Sequence, residues 1–261
     1  MSSIDREGVS IYYEASGDGP AILLSHGYGA TSQMWTGQLE LLSANHRLIV
    51  WDMRGHGQTD SPDDQSLYSE AETVADMAAI LDAEGVEDAV IGGLSLGGYM
   101  SLAFNVAHPE RTRALMLFDT GPGYNNPKAR EGWNTGMAIP RAESLERDGL
   151  AALGGSEEVR VSTHRSAEGL ARAARGMLAQ FDNRIIQSLS GIDKPTLVLV
   201  GENDEPFLAG TDYMANKIPG SIKVVVPNAG HAANIDNPTD FNDAVSAFLS
   251  SLPLAGGAVT E

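Results

Sequence analysis

The sequence predicts an α/β fold, a mainly parallel sheet wrapped by helices on both faces. Three observations carry this. Short continuous apolar runs recur along the chain, as expected for strands covered on both sides. Segments with helical spacing alternate with these runs. Polar residues with catalytic capacity follow six of the strand candidates, at the carboxyl ends where open α/β sheets bind ligands. The 261 residues suffice for one large α/β domain or two small ones.

The elements follow in order. Val9 to Glu14 alternates and reads as a strand, and Gly17-Asp18-Gly19-Pro20 as a turn. Ala21 to Ser25 is a buried strand, and Leu48 to Trp51 is another. Between them Met34 to Leu42 fits a short helix. Ser69 and Glu72 have capping-box spacing. Val74, Met77, Ala78 and Leu81 then recur at helical intervals until Gly85. Val90-Ile91 leads into a strand that ends in glycines and a serine. Tyr99 to Ala107 reads as a helix stopped by Pro109. Ala114 to Phe118, Thr196 to Val200 and Ile222 to Val226 are further strands. Asn237-Pro238 opens a last helix with Phe241, Val245, Phe248 and Leu249 on its buried face. Beyond Pro253 the small-residue tail is expected to fray.

One stretch breaks the rhythm. From Gly121 to about Ser190 no convincing strand occurs, and helical pieces cover Ala142 to Leu153 and Glu168 to Phe181. A long helical insertion between two strands suggests a lid rather than a linker. The expected division is a core of residues 1–120 and 191–261 with a helical cap of residues 121–190.

Composition narrows the function classes. Hydrophobic residues make up 42% and charged residues 20%, an ordinary soluble balance. The formal charge of −18 should repel phosphate backbones, so nucleic acid is not an expected partner. No apolar run approaches the roughly 20 residues needed to span a bilayer, and the N-terminus lacks a signal-peptide pattern. A cytoplasmic monomer or homodimer acting on a small molecule is expected. With no cysteine, disulfides and thiolate catalysis are excluded. The six histidines have no ligand spacing, so no metal is expected. No cofactor is expected either, since the glycines around residue 95 lack the G-x-G-x-x-G spacing of a dinucleotide site.

Gly93-Leu94-Ser95-Leu96-Gly97 fits G-x-S-x-G, the nucleophile elbow that exposes a serine on a strained strand-to-helix turn. His26-Gly27-Tyr28-Gly29 follows Ser25, and Asp52-Met53-Arg54-Gly55-His56-Gly57 follows Trp51. Asp119 follows Phe118, Gly201-Glu202-Asn203-Asp204 follows Val200, and Gly230-His231 follows the Val226 strand. With these ordered motifs the chain resembles the α/β-hydrolase superfamily over residues 8 to 120 and 191 to 250. The similarity is greatest to its lid-bearing carboxylesterase and enol-lactonase branch. The resemblance implies an eight-stranded, mostly parallel sheet with a helical cap after the sixth strand. It also implies the family's Ser-Asp-His order, here Ser95, Asp204 and His231.

In that reading His231 takes the serine proton and Asp204 holds the other imidazole nitrogen. Asp119 competes with Asp204 for the acid, because some members carry theirs after the sixth strand. The backbone N–H groups of Leu96 and, by analogy, Tyr28 form the oxyanion hole. His26 is expected to order the oxyanion loop, and Asp52, Arg54 and His56 to brace it. His46, His108 and His164 have no partner motif and read as surface or packing residues. His26, Gly27, Tyr99, Trp133, Met137 and Phe207 are candidates for substrate contact. Leu145, Leu150, Met177, Leu178 and Phe181 could add to an apolar lining, or simply pack the lid onto the core. Such a lining favours a small to medium neutral acyl ester. Arg141, Arg165, Arg172 and Arg175 leave room for an acidic substrate such as an enol-lactone. The alternatives are a lactonase or C–C bond hydrolase on the same triad, a minor haloperoxidase activity, or a non-catalytic binding relative.

Overall fold

A computed structural model describes residues 2–253, so the expected fraying beyond Pro253 falls outside the described residues. Eight strands form one sheet: β1 (Ser2–Arg6), β2 (Val9–Ser16), β3 (Ala21–Ser25), β4 (Arg47–Trp51), β5 (Ala89–Leu94), β6 (Thr112–Phe118), β7 (Thr196–Gly201) and β8 (Ile222–Val226). Their spatial order is β1-β2-β4-β3-β5-β6-β7-β8. β3 to β8 run parallel, while β2 lies antiparallel to both β1 and β4. β1 is the strand the sequence did not announce. It is an edge strand, mostly exposed, and Ile4 is its one large apolar residue. Its register with β2 comes from Glu7 and Gly8, both at positive φ, the geometry of a two-residue hairpin turn.

Both faces of the sheet are covered. On one side α2 (Glu70–Ala83) and α3 (Leu96–Ala107) pack on Leu23, Ile49, Ile91 and Leu115. On the other side α1 (Thr36–Ser43) and the last helix, Pro238–Ser251, pack on Ile22, Val50, Val90 and Met116. Ser69 caps α2 by accepting from the Glu72 N–H, and Gly85 ends that helix region at φ +66°. Asn237 caps the last helix by accepting from the Asp240 N–H, and Phe241, Val245, Phe248 and Leu249 are buried.

Between β6 and β7 the described residues form helices and turns with no strand: α4 (Pro127–Trp133), α5 (Ile139–Asp148), α6 (Glu157–Arg160), α7 (Ala167–Ala173) and α8 (Arg184–Ser188). The expected helices over 142–153 and 168–181 have different bounds. α5 begins earlier and gives way to a 3₁₀ stretch over Gly149–Leu153. The second helix ends at Leu178. Two π-helical turns, Asn134–Ala138 and Ala174–Leu178, interrupt the regular winding. The first leads into Pro140, which has no N–H to return to Gly136. The second closes with Ala179 N–H donating to Ala174 O, five residues back. This segment holds its own small apolar cluster, which includes Leu145, Leu153, Leu170 and Ala174.

Beyond Val200 come α9 (Glu205–Lys217), then α10 (Ala233–Asp236) and α11 (Pro238–Ser251). No helix among the described residues is long and apolar enough to cross a membrane.

Candidate active site

The sheet places its functional groups at one edge because parallel strands all end there. Ser95 lies between β5 and α3 at φ 54°, ψ −114°, a left-handed conformation that costs a non-glycine residue energy. Its N–H donates to Phe118 O at 2.9 Å, and Thr120 Oγ1 donates to its carbonyl at 2.6 Å. The flanking glycines permit the turn. A Cβ on Gly93 would lie 2.5 Å from the Gly97 carbonyl carbon, and one on Gly97 would lie 2.2 Å from Ser25 O. Strand and helix therefore approach backbone to backbone around the serine.

Asp204 precedes α9 and is 4% exposed. His231 lies in the turn between β8 and α10, and its Nδ1 is 2.8 Å from Asp204 Oδ2. With Nδ1–H donating to the carboxylate, Nε2 is the free imidazole nitrogen. Phe207 stacks on the His231 ring, with centroids 4.9 Å apart. Ser95, Asp204 and His231 all line one cavity of about 560 Å³, together with Tyr28, Leu96, Tyr99, Trp133, Met137 and Phe207.

Asp119 occupies the other acid position, but its Oδ1 accepts from the Gly201 N–H at 2.7 Å rather than from a histidine. It is fully buried. Burial pushes its carboxyl well above the usual range, against the pull of the Gly201 N–H, and the neighbouring Asp204 charge adds to the rise.

His26 and Gly27, expected as substrate contacts, are not in the cavity wall. His26 is fully buried. Its Nδ1 bonds Gly27 O at 2.7 Å and its Nε2 accepts from the Met53 N–H at 2.9 Å. Burial lowers its pKa to about 4, so it stays neutral and orders the loop that carries Tyr28. Asp52 braces that loop by accepting from the Ser32 and Gln58 N–H groups at 2.7 and 2.8 Å. Arg54 makes a two-pronged buried pair with Asp76, at 2.7 and 2.8 Å, which Arg6 joins. Removing one partner of such a pair costs about 3–5 kcal/mol.

The loop after β4 also carries the inserted segment. Gly55, at φ +80°, faces Gly169; a Cβ there would lie 2.5 Å from the Gly169 carbonyl oxygen. His164 is no mere packing residue, because its Nδ1 accepts from the Gly57 N–H at 3.2 Å and its Nε2 bonds Gly29 O at 2.9 Å. Arg165 donates to the carbonyls of Gly57 and Gln58. Tyr28 Oη donates to Leu170 O at 2.8 Å.

Of the apolar candidates in the insertion, Trp133, Met137, Met177 and Leu178 line the cavity. Three do not. Leu145 is buried in the segment's own cluster, while Leu150 and Phe181 are turned to solvent, Phe181 being 73% exposed. The π-helical turns contribute the lining methionines and are latched together. Trp133 Nε1–H donates to Leu178 O at 2.9 Å, and Asn134 exchanges two hydrogen bonds with the Gln180 backbone. Sequence reasoning missed Thr120, Tyr124, Glu158 and Gln180, which also border the cavity. Only Thr120 had a local signal, its place two residues beyond the end of β6.

Known proteins match this chain in sequence and in fold. The profile of the alpha/beta hydrolase family covers residues 22–244. A Bacillus subtilis protein provisionally named 2-succinyl-6-hydroxy-2,4-cyclohexadiene-1-carboxylate synthase is 32% identical, over 93% of this chain and 96% of its own. A 3-oxoadipate enol-lactonase of Acinetobacter baylyi is 30% identical, over 95% and 96%. The solved structure of a thermophilic esterase from Thermogutta terrifontis superposes with a TM-score of 0.81 at 28% identity, over 95% of this chain and 96% of that one. A profile match across most of the chain, on a sheet of the same construction, places the protein in the α/β-hydrolase family, in the branch that includes the enol-lactonases.

Proposed function

We propose that the protein hydrolyses carboxylic esters of small to medium acyl chains through Ser95, His231 and Asp204, by way of an acyl-enzyme. The observation that carries this reading is the 2.8 Å bond from His231 to Asp204 beside a serine at positive φ in the same cavity. Asp204 fixes the imidazole tautomer, which leaves Nε2 to take the Ser95 proton as Oγ attacks the ester carbonyl. The oxyanion accepts hydrogen bonds from the N–H groups of Leu96 and Tyr28. The first lies in the opening turn of α3, whose N–H groups have no partner within the helix and where the helix dipole also favours negative charge. His231 then protonates the leaving alcohol. Next it deprotonates the water that releases the acid. Residues 121–190 serve as the cap that excludes bulk water and supplies Trp133, Met137, Met177 and Leu178 to the acyl site. A fluorophosphonate probe followed by peptide mass spectrometry tests the reading. Labelling at Ser95 is expected, and labelling elsewhere would overturn it.

One observation favours a second reading, a lactone or dienol-acid substrate with a free carboxylate. Of the four arginines considered for an acidic substrate, Arg175 pairs with Glu146, Arg172 with Asp63, and Arg165 is spent on backbone carbonyls. Arg141 lines the cavity, and its guanidinium has no hydrogen-bond or ion-pair partner among the described residues. Glu158 lines the same cavity and accepts from Ser156 Oγ at 2.7 Å. A charge-assisted bond from Arg141 to substrate would contribute about 1.5–3 kcal/mol. Arg141→Met should then raise KM roughly tenfold or more for an ester carrying a distal carboxylate, and little for its neutral analogue. Equal effects on both would return the choice to the neutral ester.

A further inference from the structure

A second buried carboxyl lies behind the triad, and the acyl-transfer steps make no use of it. Asp119 directly follows β6, one strand from the end of β7 that leads to Asp204. It is fully buried and sits at φ +45°, a left-handed conformation held by its surroundings. Its Oδ1 is satisfied by the Gly201 N–H. Its Oδ2 is buried and makes no hydrogen bond among the described residues. The side chain beside it is that of Asp204, itself 4% exposed and engaged with His231. Asp204 is the titratable group that bears on Asp119; its other polar neighbours are the backbone N–H groups of Gly201 and Ala233.

Two buried carboxylates in contact cannot both ionise without a large cost, so one proton belongs to the pair. Asp204 serves as the acceptor for His231 Nδ1–H, whereas Asp119 Oδ2 serves no donor. The proton therefore resides on Asp119, and an orphaned acceptor oxygen becomes a donor once it carries that proton. Burial holds the Asp119 carboxyl well above the usual range, and the like charge of Asp204 acts in the same direction.

We propose that Asp119 is a positioning residue of the triad that works as a neutral carboxylic acid, its Oδ2–H donating a hydrogen bond to the Asp204 carboxylate. The proposal rests on the Ser95, His231 and Asp204 reading. The bond would anchor Asp204 from the sheet side while its Oδ2 serves His231. It would also disperse the Asp204 charge, so that the site carries one negative charge and not two. The acid position after the sixth strand is thereby occupied without serving the histidine directly.

The test compares Asp119→Asn and Asp119→Ala in the intact enzyme with p-nitrophenyl acetate as substrate. Asparagine keeps a donor toward Asp204 and an acceptor for Gly201; alanine keeps neither. In Asp119→Ala the Asp204 charge is no longer shared, the imidazolium is stabilised, and the acid limb of kcat/KM moves to higher pH. Its rate should fall about 10- to 100-fold. Asp119→Asn should lose less and move the limb less, in the same direction. Movement of the limb to lower pH in Asp119→Asn would show that a charge had been removed, and would overturn the proposal. So would a limb left in place by both variants. Infrared difference spectra give a readout independent of turnover. Wild type at neutral pH should contain a protonated-carboxyl carbonyl band that Asp119→Asn lacks, and absence of that band from wild type would overturn the proposal even if Asp119→Ala fails to fold. Failure of the triad reading is distinguishable, because it would appear as fluorophosphonate labelling away from Ser95 whatever the infrared result.

Discussion

The sheet end and the inserted segment build opposite walls of one cavity by different means. At the sheet end, each polar group is held by its own strand and the turn that follows. Ser95 sits on β5 and α3, Asp204 on β7 and α9, and His231 on the turn after β8. In the inserted segment, short helices and two π-helical turns depend on contacts far away in sequence, such as Tyr28 with Leu170 and Gly57 with His164. The first wall is specified locally and fixed by parallel pairing. The second is specified only once the chain has folded back over the first. In the proposed reading, reaction type belongs with the sheet and substrate choice with the insertion.

That contrast can be broken by experiment. The largest effect should come from the sheet wall: Ser95→Ala should lower ester turnover about 10⁴- to 10⁶-fold, because nucleophile and base act as a unit. Asp204→Asn should cost up to about 10⁴-fold in kcat, since an amide holds the wrong imidazole tautomer. A smaller loss from Asp204→Asn than from Asp119→Asn would exchange the two acids. Substitutions in the insertion should instead change the ranking of substrates, and a uniform loss across a panel of esters and lactones would erase the proposed division of labour.

Stability should respond to pH through the loop that joins the two walls. His26 and His56 are buried and uncharged, and burial depresses both pKa values, that of His26 to about 4. The unfolded chain takes up protons near pH 6.5 and the folded chain does not. Stability is therefore complete above pH 6.5 and is lost as pH falls toward 4, with His26 alone contributing roughly 3 kcal/mol of loss. Asp119 has the opposite sign: its raised value makes folding less favourable as pH rises above the ordinary carboxylate range, so Asp119→Asn should gain stability over wild type toward neutral pH. Urea titrations of both proteins at pH 5 and pH 7.5 check the two signs, and flat curves would mean that these groups are not buried as described.

The smallest expected effect concerns docking. A Cβ on Gly176 would lie 1.7 Å from the Tyr68 carbonyl oxygen. Gly176→Ala should therefore displace the second π-helical turn, at a cost of about 1–3 kcal/mol. Proteolysis should quicken within residues 121–190 while the remainder stays protected. Cleavage spread evenly over the chain would show that the insertion and the sheet unfold together.

Legibility followed the same boundary. The apolar runs of β3 to β7, the capping serine Ser69 and the ordered residues Ser95, Asp204 and His231 were readable because each signal lies within a few adjacent residues. β1 was not, since one apolar residue in an exposed edge strand leaves no periodic pattern. Within the insertion, Trp133, Met137, Met177 and Leu178 could not be separated from Leu145, Leu150 and Phe181, because all seven are apolar residues in or near helices. Nothing local distinguished Arg141 from Arg165, Arg172 and Arg175 either. Their roles depend on which anion or carbonyl lies across the fold.

The sequence by itself determined the parallel sheet, the strand-end motifs and the chain order of the candidate triad, because strand periodicity and turn chemistry are properties of neighbouring residues. Tertiary structure decided between Asp204 and its competitor Asp119 as the partner of His231, and which of the candidate arginines is left facing the cavity. It also assigned His164 and Gly176 to the seam between the two walls. Those outcomes depend on distances between segments tens to more than a hundred residues apart, and they are set by how the insertion packs rather than by what precedes or follows each residue.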